Sequence, residues 1–364
     1  MAVQIFVDNK YRDLWPCLIL KKYIETKTSH KVLLSNKRNH FRLYRYYKPE
    51  VVILPHAQTY LSHATVNYSK KSKVCLMLTE GGFSKTEVID MMLRDSVGGK
   101  ANSSVSKVFA WGNAQANGLR EAGLFRDDQI VVSGNPRFEL YSKLRSQRKK
   151  CSICGIGTTL RYITSIHRYP MVDAIALHSK FGLHDPVRWN QGGIFADYIW
   201  FEVASTEIIN HFIAEYKNKN NHLVSLRPHP YESMKAYSFI EKKYKIHVDN
   251  KEFLPDFLNK LFVYISAFST SFTDALMAGV PCISYRKLYP KERAGVLLLD
   301  SLYNHGPDQF VWQPESFDEL HDLVDYARNG SLDLSPDMKK LNNYLYDNYN
   351  YGSDKSETAD LSEP

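Results

Sequence analysis

Short apolar runs, each closed by a turn of glycine, proline or hydroxyl residues, alternate with helix-length stretches along most of this 364-residue chain. Residues 3–7, 31–34, 51–54, 73–78, 106–110 and 129–132 read as strands. Their ends carry Asp8, Pro55-His56, Thr79-Glu80-Gly81-Gly82, Trp111-Gly112 and Gly134-Asn135-Pro136-Arg137. Runs that are apolar throughout suit strands covered on both faces. Strands in alternation with helices, such as the amphipathic stretch 14–23, imply a doubly wound α/β fold with a parallel sheet. A basic helix or linker at 139–150 closes this first lobe, expected over residues 1–145.

A second series begins after it. Residues 152–153 with Gly155-Ile156-Gly157-Thr158-Thr159 suggest a strand and a glycine-rich turn, and 194–216 one long helix. The apolar run 223–226 leads into Arg227-Pro228-His229-Pro230. The run 261–265 leads into Ser266-Ala267-Phe268-Ser269-Thr270-Ser271, opens a helix, and reaches Asp274 and Gly279-Val280-Pro281. A strand at 281–285 and helices at 316–328 and 336–349 follow. The expected division is a second lobe over 146–335, a C-terminal helix over 336–351 and a tail over 352–364. The tail holds four acids against one lysine and is expected to be disordered.

Ligands of open parallel sheets gather outside the carboxyl ends of the strands. Backbone N–H groups at a helix start favour anions there. Arg227 brings a permanent charge with planar donors. The His229 ring can donate to a phosphate oxygen, and Pro228 and Pro230 stiffen its backbone. Ser269, Thr270 and Ser271 can cap a helix and hold a phosphate at once. Gly155, Gly157 and Thr158 suggest a second, weaker anion loop. Glu80, at a strand end before Gly81 and Gly82, can serve as nucleophile or general base, or can cap the next helix. The two glycines permit close approach of a ligand. Asp8, at a strand tip, can face an acceptor, while Asp13 suits the cap of the helix near Leu14. Asn135 and Arg137 lie in a rigid turn, where Arg137 can meet an acidic sugar or act as a hinge residue. Asp197 reads as a solvated helix position.

The formal charge of +8 admits nucleic acid, an anionic membrane surface or an anionic substrate as partner. Bases and aromatics mix over residues 36–48. A solvated helix and loop is the plainer reading there, and docking on an anionic membrane face is the sharper one. No nucleic-acid recognition motif is present. Of the five cysteines, Cys17, Cys75, Cys154 and Cys282 sit in apolar runs. Cys151 and Cys154 make a single CxxC without a second ligand pair, so no metal site is expected. Free cysteines suggest a reducing compartment. The first residues form a strand rather than a signal peptide, and no apolar stretch approaches the roughly 20 residues of a membrane span. The expected location is cytoplasmic, or peripheral on the inner face of the inner membrane.

Several segments recur in one order: residues 7–14, Thr79–Gly82, Phe109–Gly112, Ser133–Glu139, Arg227–Pro230, Ser269–Ser271 and Gly279–Pro281. In that order they resemble the bacterial surface-carbohydrate biosynthesis proteins, a group similar to the retaining β-Kdo glycosyltransferases of lipopolysaccharide and capsule assembly. The resemblance spans roughly residues 1 to 290. It implies a GT-B fold, two Rossmann-like lobes with parallel sheets facing across a cleft, and a CMP-activated donor, CMP-Kdo. It also implies a glycan acceptor, lipid-linked acceptors fitting a basic peripheral protein, and a carboxylate nucleophile in the first lobe. No metal or cofactor is implied, since CMP carries one phosphate that side chains can neutralise. Two positions depart from the pattern. Cys154–Thr159 replaces an Asn-Thr-Asn-like turn, and Glu139 stands where Asp often follows Asn-Pro-Arg-Phe. Rival readings are a CDP-glycerol polyol-phosphate transferase, a UDP- or GDP-sugar enzyme or epimerase of the same fold, and a non-catalytic assembly protein.

Overall fold

The computed structural model describes residues 2–58, 60–78, 97–160, 163–164, 194–220, 223–230, 232–249, 252–267, 269–289 and 306–351. It divides into two compact units. One is Met1–Leu140 together with the stretch from Lys339, and the other is Tyr141–Met338. The break falls inside the helix Pro136–Ser146, ahead of the expected position 145. The expected tail, 352–364, lies outside the described residues.

The first unit holds a six-stranded sheet: β1 (Ala2–Phe6), β2 (Lys31–Ser35), β3 (Val51–Leu54), β4 (Lys73–Met77), β5 (Lys107–Ala110) and β6 (Ile130–Val132). The order is β2-β1-β3-β4-β5-β6, and every pairing is parallel. Alternate side chains serve opposite faces. Val52, Leu54, Val74, Leu76 and Val108 pack on one side with Leu61, Ala64 and Leu119. Val3, Ile5, Ile53, Cys75 and Met77 pack on the other with Cys17. This two-sided burial is why the strands read as unbroken apolar runs.

The helix Lys10–Lys27 starts four residues before the expected Leu14. Asn9 supplies the cap. Its Oδ1 accepts the Arg12 N–H at 3.3 Å, and the Asp13 carboxylate accepts the Asn9 N–H at 2.8 Å. Asp13 therefore closes the helix start from inside it, as a reciprocal partner.

The second unit holds a five-stranded parallel sheet: β7 (Ile153–Gly157), β8 (Leu223–Arg227), β9 (His247–Val248), β10 (Leu261–Ser266) and β11 (Cys282–Ser284). The order is β11-β10-β7-β8-β9. The chain enters at the centre, winds outward to β9, then returns to β10 on the other side of β7. The long helix Ile194–Asn220 buries Phe201, Ala204, Ile208, Phe212 and Tyr216 against β7, β8 and β10 at helical spacing. Helix Phe317–Asn329 completes that layer, capped by the Ser316 hydroxyl and by Gly330 at φ 78°.

The helix Met338–Tyr349 buries Leu341, Leu345 and Tyr349, spaced i, i+4, i+8. It seats on the first unit, not as a free-standing element. The Tyr349 ring lies 5.9 Å from Trp111 and 5.2 Å from Phe138. Gly112 makes the seat possible, because a Cβ there would lie 2.4 Å from the Asp347 carbonyl oxygen.

Candidate functional site

In the second unit the strand order reverses between β7 and β10, and a crevice opens at such a reversal beyond the carboxyl ends. Three strand exits meet on this edge. The Ser266 hydroxyl donates to the Gly157 carbonyl at 3.1 Å. The Thr158 N–H donates to the Arg227 carbonyl, also at 3.1 Å. The sheet thus brings the Arg-Pro-His-Pro turn and the Ser269–Ser271 segment to one edge. His229 is half-buried in its turn. Past β10 the helix Ser271–Met277 begins. Ser269 Oγ accepts the Ser271 N–H at 3.1 Å and lies 2.5 Å from Ser271 Oγ. Ser271 Oγ is 2.9 Å from the Tyr264 hydroxyl, and burial pushes that phenol up to about 12. Tyr264 therefore stays neutral and can only exchange hydrogen bonds. Thr270 is exposed.

Arg227 differs from its expected part. Its Nη1 lies 2.6 Å from Asp249 Oδ2, its Nη2 donates to the Glu252 carbonyl at 2.8 Å, and its guanidinium lies over the Phe257 ring at 5.0 Å. A buried carboxylate needs such a cation, and Asp249 is 2% exposed. Its partner lies 22 residues away in sequence, directly after a short strand, β9, that has no periodic signature. Arg227 is thereby committed to fixing β8 against the segment after β9.

Gly155 and Gly157 form no anion loop. The expected turn is strand, because β7 is central and pairs on both sides. A Cβ on Gly155 would lie 2.3 Å from Leu261 Cδ1, and one on Gly157 would lie 2.0 Å from the Tyr264 hydroxyl oxygen. The two glycines make room for β10 side chains. Thr158 is buried, and its hydroxyl donates to Glu232 at 2.7 Å.

Glu232, which sequence reasoning passed over, ties two of these exits together. It is 0% exposed. Its carboxylate accepts the Leu160 N–H at 2.6 Å, the Thr158 hydroxyl, and the Tyr237 hydroxyl. Its own N–H donates to the His229 carbonyl at 2.8 Å. The residues after β7 are thus clamped to the turn that holds His229. A Glu five residues from a Tyr was the only signal available. Desolvation raises the Glu232 carboxyl above its ordinary value of 4.5, and hydrogen bonds from Tyr237, Thr158 and the Leu160 and His229 backbones oppose that shift. The sign follows by linkage. The unfolded chain ionises first as pH rises, so this group withdraws stability between the ordinary value and its raised folded value. Glutamine keeps the shape and does not titrate. The stability of Glu232→Gln relative to wild type should therefore rise as pH climbs above the ordinary carboxylate value in circular-dichroism melts. A difference flat with pH would refute the raised carboxyl.

In the first unit the order reverses between β1 and β3. Asp8 follows β1 there, 3.6 Å from Arg12 Nη2. Burial, and then the Asp8 charge, push the nearby Tyr60 phenol up to about 12. Asn135 caps the helix Pro136–Ser146, its Oδ1 accepting the Arg137 N–H at 2.9 Å. Its Nδ2 donates to the Leu78 carbonyl at 3.0 Å, and Trp111 Nε1 donates to the same oxygen at 2.8 Å. Two donors thus fix the exit of β4, directly before Thr79 in sequence. The Arg137 guanidinium lies 5.9 Å from the Phe138 ring. Glu80, Gly81 and Gly82 lie outside the described residues, as does the Asp197 side chain. Among the described residues, no group of three His, Cys, Asp or Glu side chains is placed to hold a metal ion, and no helix is long and apolar enough to cross a membrane.

No family model matches this chain, and no curated protein does. Solved structures match over nearly the whole chain. S. aureus MnaA, in a co-structure with UDP, is 12% identical over 95% of this chain and 96% of its own, with a TM-score of 0.51. The wall teichoic acid polymerase TagF is 12% identical over 97% of this chain and 86% of its own, with a TM-score of 0.53. UDP-GlcNAc 2-epimerase from Neisseria meningitidis, bound to UDP-GlcNAc, is 12% identical over 92% and 94%, with a TM-score of 0.50. At these identities the likeness is one of architecture: the chain has the GT-B fold, built of two parallel-sheet α/β lobes.

Proposed function

We propose that this protein is a glycosyltransferase of bacterial surface-glycan assembly that binds a nucleotide-activated sugar on the second unit. The observation that supports it is the meeting of the His229 turn and the Ser269–Ser271 segment at the switch point of the second sheet. The GT-B fold is shared with TagF, a wall teichoic acid polymerase, and with proteins seen with UDP or UDP-GlcNAc. The motif order favours CMP-Kdo as donor. The bond from the anomeric carbon to the CMP phosphate oxygen breaks, and its electrons pass to the phosphate. His229 and the hydroxyls of Ser269 and Ser271 meet that growing charge. Donors fixed in advance stabilise the transition state more than the ground state. A first-unit carboxylate, Glu80 or Asp8, takes the anomeric carbon. The acceptor hydroxyl oxygen then displaces it, losing its proton to a base, so configuration is retained. Arg137 and Asn135 are candidates for the substrate side. A lipid-linked glycan acceptor would bring the protein to the cytoplasmic face of the inner membrane.

A second reading, with a UDP-sugar or CDP-glycerol as donor, is supported by the fold relatives seen with UDP, with UDP-GlcNAc and, for TagF, with CDPG. One experiment separates the two. Bound ligand stabilises the native state by RT ln(1 + [L]/Kd). The melting temperature of the protein is expected to rise with CMP and not with UDP, GDP or CDP. A rise with UDP or CDP in place of CMP moves the donor class. No rise with any nucleotide would sink the transferase reading in favour of a non-catalytic assembly protein.

A further inference from the structure

We infer that the outward face of the helix His40–Tyr47 is a docking surface for an anionic phospholipid bilayer. The inference rests on the proposed function only for the reason a bilayer is close by; its observations stand on their own.

The helix has one anchored side. His40 is buried, its Nδ1 lies 2.8 Å from the Tyr68 hydroxyl, and its carbonyl accepts from Gln4 at 3.1 Å. One turn on, Tyr44 stacks on Tyr68 with ring centroids 4.0 Å apart. The opposite side carries Phe41, Arg42, Arg45 and Tyr46, spaced i, i+1, i+4, i+5. Phe41 is 45% exposed and Tyr46 77% exposed, and both arginines are exposed. One edge of the Phe41 ring meets the anchored side, 3.9 Å from the His40 ring and 5.9 Å from that of Tyr68, while the rest of Phe41 and most of Tyr46 face solvent. Rings flanked by arginines match the layer where headgroup phosphates meet the first methylenes.

The charge fits one sign only. Residues 36–48 contain Lys37, Arg38, Arg42, Arg45 and Lys48 and no Asp or Glu. Among the described residues none of these five forms an ion pair. Basic residues near a membrane surface each add to binding of anionic lipids, and the attraction is screened by salt. A single-stranded nucleic acid would need a groove that tracks its backbone. Here the rings stand on the open side of a short helix.

The test is co-sedimentation of the full chain with phosphatidylcholine vesicles, with and without phosphatidylglycerol, at low salt. The protein is expected to sediment with the mixed vesicles and to stay in solution with phosphatidylcholine alone. Arg42→Glu with Arg45→Glu should weaken binding by about tenfold or more. Phe41→Ser with Tyr46→Ser should weaken it as well. The arginine pair is exposed, so its melting temperature should match wild type. Tyr46→Ser alone, at a 77% exposed position, should also melt as wild type and weaken binding, apart from the ring contact with His40 that Phe41→Ser removes. Lys242→Glu with Lys243→Glu makes the same charge change on the second unit and should leave binding intact. The inference is overturned by an equal loss in that control, by full binding of the Arg42/Arg45 pair, or by capture on heparin or single-stranded DNA without capture on vesicles. The nucleotide titration is read separately. Vesicle binding without a CMP response removes the donor proposal alone, and a CMP response without vesicle binding removes this one alone.

Discussion

His229→Ala is expected to abolish the CMP-dependent rise in melting temperature while leaving the nucleotide-free protein folded. At a ligand concentration about 100 times Kd, wild type should gain about 2.7 kcal/mol. The variant should gain almost none. Transfer activity should fall about 10²–10³-fold, the cost of removing one donor from a site that stabilises developing negative charge. Three features make His229 the residue to change. It lies in a turn stiffened by two prolines. Its carbonyl is held by the buried Glu232. Arg227, the neighbouring cation, is already engaged by Asp249 and the Glu252 carbonyl. Because His229 is only half-buried, its loss without nucleotide should cost no more than about 1 kcal/mol. A variant that keeps the full CMP response would remove His229 from the phosphate site.

Gly112→Ala should produce the largest loss of stability of any small substitution considered. The new Cβ would lie 2.4 Å from the Asp347 carbonyl oxygen, 2.5 Å from the Asn348 carbonyl carbon and 2.7 Å from the Asn348 oxygen. These are backbone atoms at the end of a helix, so no side-chain rotation relieves the overlap. The helix Met338–Tyr349 must shift as a body, opening Tyr349 from Trp111 and Phe138. Overpacking of this kind costs about 3 kcal/mol, or roughly 6–12 °C for a unit of this size. Limited trypsinolysis gives an independent measure, since Lys339 and Lys340 lie in that helix. Unchanged melting together with unchanged cleavage would mean the helix seats elsewhere.

The strands of both sheets were legible because a parallel strand covered on two sides is apolar at every position, and its end is marked by the polar turn. Val51–Leu54 and the runs ahead of Arg227 and Ser269 show this. β9 escaped notice because two residues carry no period. The glycines of β7 misled for a chemical reason. Glycine frees a loop, and it equally admits a neighbour's ring, and the distinction lies in Leu261 and Tyr264, a hundred residues away. The candidate site was legible as motifs and not as contacts. Nothing near Arg227 in sequence announces Asp249, and nothing near Thr158 announces Glu232. Pairings across 22 and 74 residues belong to the fold.

The placement of helix Met338–Tyr349 in the first unit bears on how the protein is made. Synthesis delivers Trp111 and Phe138 early and their partner Tyr349 only after the whole second unit. At ~5–20 residues per second, that interval is roughly 10–40 s. Throughout it the nascent first unit has its six strands but an uncovered aromatic seat. The unit begun first is therefore completed last, and a ribosome-bound chain stopped at residue 338 should present that seat to chaperones.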